Sequence, residues 1–195
     1  MNNCSENKET NSKRLSSAVT GIFEWIELFA VSFTVVFLII TFIARHSPVV
    51  GSSMVPTLEE NDVLIISDLL YTPKQGDIIV AQSMPLGFDE PIIKRVIATE
   101  GQEVTIDYFN WKVTVDGITL EEDYINYILG RIMNPSNYLP ETFTVPDDML
   151  FVMGDNRNGS LDSRSSDVGF IDERYVVGKA NFRIFPLSKF GSLYN

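Results

Sequence analysis

A lysine stands inside an otherwise apolar run, Ile92-Ile93-Lys94-Arg95-Val96-Ile97. β-Branched residues in such a run read as a strand, and a lysine pointing into a core loses its water. Desolvation disfavours the ammonium form and lowers the pKa, by several units in the extreme case. A neutral amine is then a competent general base for a hydroxyl nucleophile. Ser53, in Gly51-Ser52-Ser53-Met54-Val55-Pro56-Thr57-Leu58, is the candidate hydroxyl. The competing readings are ordinary ones: small residues before a proline make a turn, and a lysine at a strand edge snorkels to water. His46 is the only histidine, so a Ser-His-Asp triad would have to use it, and a multi-histidine metal site is excluded. A Ser–Lys pair is the economical alternative, a known variant of the triad logic.

Two kinds of element would carry these residues. Residues 1–21 are polar and read as a tail. From Ile22 the character changes, and residues 28–44 carry no charge at all. Roughly 20 apolar residues span a bilayer core. Glu24 and Glu27 fall near the headgroup boundary, and Trp25 suits that interface. A cleaved secretory signal would have an apolar stretch of about 7–15 residues and then a small-x-small site. This run is longer, and Ile43-Ala44-Arg45-His46-Ser47-Pro48 offers no such site, so residues 22–45 are expected to be a retained transmembrane anchor. Lys8, Lys13 and Arg14 precede the span and Arg45 follows it. The positive-inside rule then places the N-terminus in the cytoplasm and residues 46–195 outside.

The outer portion reads as strand. Val63-Leu64-Ile65-Ile66 and Ile78-Ile79-Val80 are short β-branched runs bounded by turn residues. Lys112-Val113-Thr114-Val115, then Asp116-Gly117, then Ile118-Thr119-Leu120, is a hairpin signal, because Asp-Gly tolerates the positive φ angles of a tight turn. Residues 143–145, 149–153 and 176–185 supply further strands, whereas 121–131 reads as a short helix or an irregular excursion. The expected fold is mainly β: one transmembrane helix, then a compact, mostly antiparallel β domain. The net charge of −11 excludes a nucleic-acid partner, which needs Lys and Arg against phosphate. Cys4 is the only cysteine, so no intramolecular disulfide forms.

Four segments in this order resemble the motifs of the bacterial type I signal peptidase family: 51–58, Gly76-Asp77-Ile78-Ile79-Val80, Ile93-Lys94-Arg95-Val96, and Gly154-Asp155-Asn156-Arg157-Asn158-Gly159-Ser160-Leu161-Asp162-Ser163-Arg164 continuing to Gly169-Phe170-Ile171. The resemblance covers nearly everything after residue 21. It implies a serine endopeptidase without cofactor or metal, with Ser53 as nucleophile and Lys94 as its base. It further implies that Ser160 hydrogen-bonds the lysine amine, that Asp162 and Arg164 form a bracing ion pair, and that Asp155 and Arg157 support the same loop. Where part of the family carries a serine that donates to the oxyanion, this chain has Gly51, as Gram-positive members do. The Ser53 N–H remains a donor, and either Ser52 or Gly51 could supply the second.

Val49, Val50, Ile92 and Ile93 flank the two catalytic candidates and could pair with an extended peptide by strand addition. Small pockets there would match the A-x-A rule of signal peptides. Met54, next to Ser53, is a further substrate-binding candidate; it and the Pro85-Leu86-Gly87-Phe88 loop read either as core and turn or as elements dipping into lipid. The implied partners are signal-peptide-bearing preproteins and the lipid bilayer. The rival reading from another class is an anchored β domain, catalytically silent, that binds exported proteins.

Overall fold

The computed structural model describes residues 21–38, 45–82 and 91–194. Most of the tail at 1–21, the end of the expected anchor at 39–44 and the Pro85-Leu86-Gly87-Phe88 loop lie outside the described residues. The chain divides into two units, one holding a helix and one rich in strands. The helix, α1, runs Gly21–Leu38 and is long and apolar enough to cross a membrane. Its large apolar side chains, from Ile22 and Phe23 to Phe37 and Leu38, are all exposed.

The second unit is built from β1 (Arg45–Pro48), β2 (Val63–Ser67), β3 (Ile78–Ala81), β4 (Ile92–Ala98), β5 (Glu103–Asp107), β6 (Lys112–Val115), β7 (Ile118–Thr119), β8 (Thr142–Thr144), β9 (Met149–Met153), β10 (Ile171–Asp172), β11 (Val176–Phe185) and β12 (Gly191–Ser192). Arg45, which the sequence places at the end of the anchor, is the first residue of β1 and pairs with Ile66 of β2. All described pairings are antiparallel. One sheet has the order β1-β2-β11-β3-β4-β9-β10, with β12 added to β11, and the smaller one β7-β6-β5-β8.

Burial follows sequence pattern. In β5 and β6 the inward positions are Val104, Ile106, Val113 and Val115, alternating with more exposed residues, the period of a sheet with one wet face. β3 and β4 occupy the middle of the large sheet and are buried almost throughout, which is why they read as continuous apolar runs. The hairpin between β6 and β7 turns at Asp116 and Gly117, whose φ angles are 50° and 78°, the two left-handed residues of a type I′ turn.

Three apolar clusters result. One packs the small sheet around Trp111, Met133 and Phe151. A second gathers Val49, Met54, Leu58, Leu64, Ile66, Ile78, Val80 and Ile93, and a third centres on Ile79, Val96, Leu150 and Val152. Residues 120–141 form no helix; they cross as turns from β7 to β8.

Candidate active site

Ser53 and Lys94 meet. Lys94 Nζ lies 2.8 Å from Ser53 Oγ and donates a second hydrogen bond, 3.0 Å long, to the Ile93 carbonyl. Lys94 is only 5% exposed, because β4 lies between β3 and β9. Burial therefore pulls its pKa down to about 8, against the opposing pull of Asp162 and then Asp155.

The turn that presents Ser53 is pinned from below by its apolar members. Met54 and Leu58 are buried in the second cluster, and the Leu58 N–H closes the turn on the Met54 carbonyl at 2.9 Å. Gly51 begins it with φ 79°. A side chain at that angle costs roughly 1–2 kcal/mol, a conformational reason for glycine at this position. Asn156 holds the turn from above: its N–H donates to the Ser53 carbonyl (3.0 Å) and its Nδ2 to the Ser52 carbonyl (3.1 Å).

Gly154 fits between the nucleophile and the supporting loop. A β-carbon there would lie 2.2 Å from Ser160 Oγ and 2.4 Å from the Ser53 carbonyl oxygen, so no side chain is admitted. Ser160 thus belongs to the cluster, but the hydrogen bond to the Lys94 amine that the resemblance implies is not formed. The Ser160 hydroxyl is buried on the side of the Asp162 carboxylate, whose ionised form it favours, while the amine is turned to Ser53 and the Ile93 carbonyl.

Around the pair runs a set of buried ions. Asp162 takes a two-pronged contact from Arg164 (Nε and Nη2, both 2.8 Å) and the Gly154 N–H at 2.9 Å. Burial works to raise the Asp162 pKa, yet Arg164 and the Gly154 N–H hold it below the ordinary carboxylate value. Asp155 accepts from Arg95 Nε at 2.9 Å and Nη2 at 2.7 Å, and from the Thr57 hydroxyl. That carboxylate ties the strand of the lysine to the turn of the serine. Arg157, fully buried, pairs instead with Glu122 at 2.5 and 2.9 Å, and Arg95 stacks 3.8 Å from the Tyr124 ring centroid.

A cavity of about 450 Å³ opens beside the pair, lined by Ser47, Pro48, Val50, Ser53, Pro91, Ile92, Ile93 and Lys94. Val50, Ile92 and Ile93 thus stand where the sequence places them. Val49 and Met54 do not: they are 3% and 1% exposed, belong to the second core cluster and do not line the cavity. Adjacent residues of an extended chain face opposite ways, so Val50 cannot face out without Val49 turning in. Met54 serves to anchor the turn rather than to dip into lipid. The turn after β4 closes on Gly101 at φ 74°, with Gln102 Oε1 accepting from the Thr99 N–H at 2.9 Å.

Arg95, Gly154, Asn156, Thr57, Tyr124 and Glu122 have no individual role in the sequence reading. Arg95 had a signal, since a second cation in a buried strand requires a counter-ion. Glu122, 35 residues from Arg157 in an irregular segment, had none.

Fold and site together describe a mainly β protein that holds a serine hydroxyl against a buried amine. The model of the signal peptidase family, peptidase S26, matches residues 22–185. A probable signal peptidase I-1 of Synechocystis sp. is 39% identical over 181 residues, 88% of this chain and 87% of that protein. Signal peptidase IB of Staphylococcus aureus is 31% identical over 188 residues, 89% of this chain and 95% of that protein. The crystal structure of a signal peptidase I from Enterococcus faecalis aligns with 29% identity and a TM-score of 0.47, covering 56% of this chain and 97% of that one. The chain belongs to the signal peptidase S26 family and is a serine endopeptidase acting on signal-peptide-bearing preproteins.

Two outcomes follow from this geometry. Gly154→Ala should lower cleavage of a preprotein by about 100-fold or more, the scale of an ångström-sized misplacement at a reacting centre; an unchanged rate would show that the Ser53 carbonyl has room to move. Lys94→Met should stabilise the protein at pH 7. The folded pKa is about 8 against an ordinary 10.5, so the unfolded chain binds the extra proton between those values and stability rises with pH across that window. The gain on substitution is therefore greatest below pH 8, on the order of 3 kcal/mol, and vanishes by about pH 10.5; denaturant titrations at pH 7 and 10.5 measure it.

Proposed function

We propose that this peptidase is a membrane-anchored Ser–Lys enzyme that removes signal peptides after small residues, with α1 as its anchor and the β unit outside the cytoplasm. The observation that carries the reading is the 2.8 Å contact between Ser53 Oγ and a lysine amine that is 5% exposed.

The chemistry follows from that contact. With Lys94 neutral, the Ser53 hydroxyl donates its proton to the amine as Oγ attacks the scissile carbonyl. The Ser53 N–H, which donates to none of the described residues, supplies one hydrogen bond to the developing oxyanion. Lys94 then passes its proton to the departing amine of the mature protein, leaving an ester on Ser53. A water, deprotonated by the same amine, hydrolyses that ester and releases the signal peptide. The Lys94 bond to the Ile93 carbonyl aims the amine, and Asn156 and Gly154 set the height of the serine. An extended peptide in the cavity would lie against Val50, Ile92 and Ile93, whose bulk leaves room for small side chains next to the cut. The exposed apolar surface of α1 suits lipid on all sides, and the basic residues ahead of it favour a cytoplasmic N-terminus.

Purified protein with a preprotein tests the pair: Ser53→Ala and Lys94→Ala should each lose at least about 1,000-fold in rate, the scale of losing a nucleophile or its base. Parental activity should rise with pH on an acid limb near the Lys94 pKa of about 8; a plateau already reached at pH 5, or release at the parental rate by either variant, would overturn the assignment. For topology, external protease added to intact cells should degrade the β unit; complete protection would reverse the orientation.

A further inference from the structure

Residues 121–139 wrap the loop that carries the supporting ions. The Asn126 N–H donates to the Asp155 carbonyl, Asn134 donates its N–H to Asn158 Oδ1 and its Nδ2 to the Asn158 carbonyl, and the Ser136 hydroxyl donates to the Arg164 carbonyl. One contact in this belt joins charges. Glu122, its side chain 5% exposed, takes both Nη atoms of Arg157, whose side chain is fully buried.

The buried charges around the dyad can be counted. Arg95 faces Asp155, Arg164 faces Asp162, and Arg157 faces Glu122. Three arginines meet three carboxylates, and Lys94 is the one buried cation with no carboxylate partner among the described residues. We propose that Glu122 is a positioning residue of the catalytic apparatus: by neutralising Arg157 it completes a charge-matched set around Lys94, the buried cation left without a carboxylate partner among the described residues.

The titratable and charged groups of the buried cluster come from several elements. Arg95 is its neighbour on β4, and Ser53 comes from the nucleophile turn. The loop after β9 contributes Asp155, Arg157, Asp162 and Arg164; the belt contributes Glu122 and Tyr124; Tyr194 lies near Arg95 and Asp155. Asp162 and Asp155 act on the amine directly. Arg157 also feels Asp155, so an Arg157 deprived of Glu122 would compete for that carboxylate and weaken its pull on the lysine. Loss of Glu122 makes the cluster more positive, and a more positive cluster releases the Lys94 proton at lower pH. Removing Glu122 and Arg157 together restores the count.

The inference rests on Lys94 as the general base, and a titration seen apart from activity separates the two. The full chain with isotope-labelled lysine is titrated by NMR, and kcat/KM for a preprotein is followed over the same pH range. In Glu122→Gln the Lys94 midpoint and the acid limb should both fall by about half a unit or more. Glu122→Asp should recover part of the shift, and the double variant Glu122→Met with Arg157→Met should return the midpoint to the parental one. A folded Glu122→Gln protein with an unmoved midpoint overturns the proposal, whatever its rate. If Glu122→Gln does not fold, the double variant decides: folding with a parental midpoint supports charge matching, and a midpoint displaced by more than about half a unit overturns it. A midpoint that moves while the acid limb stays in place would uphold the role of Glu122 and refute Lys94 as the base.

Discussion

Burial of the Lys94 amine against the Ser53 hydroxyl is the contact around which the β unit is organised. An ammonium group taken out of water is costly unless it is paired or neutral, and Lys94 has two neutral partners, a hydroxyl and a carbonyl. Its position in the middle of the large sheet excludes water and makes the ammonium form costly, which brings the pKa down to about 8 and lets the neutral form predominate above that pH. In the proposed mechanism the same desolvation that weakens the folded protein at neutral pH equips the amine to take a proton, a trade of stability for function.

Holding that contact requires the serine turn and the lysine strand to be fixed to one another. They are far apart in sequence and joined through a third element, the loop following β9. Asp155 reaches Arg95 on one side and Thr57 on the other, Asn156 grips the carbonyls of Ser52 and Ser53, and Gly154 gives the close approach that both demand. The loop itself is buried and charged, so it needs its own neutralisation, which Arg164 and Glu122 provide. Each layer exists because the one inside it has placed a charge where water does not reach.

Much of this was legible in the chain. The apolar run around Lys94, the turn residues around Ser53 and the lone histidine pointed to a serine–lysine pair before any fold was known, and the alternating strands with their Asp-Gly hairpin pointed to an antiparallel β domain. Arg95 was visible as a second charge in a buried strand, though not its counter-ion. Val49 and Met54 were misassigned to substrate because nearness in sequence to a nucleophile does not say which way a side chain faces. Ser160 was placed in the right cluster but given a hydrogen bond that the amine makes elsewhere.

The sequence by itself determined the residue types able to do the chemistry, the apolar helix ahead of them and the strands that carry them, since periodicity and desolvation are local properties of a chain. Only the tertiary structure decided which carboxylate meets which arginine, that Glu122 belongs to the set, and that Gly154 must lack a side chain. Those facts depend on which remote segments share one dry volume, and in such a volume charge and space must balance among neighbours that sequence order does not make adjacent.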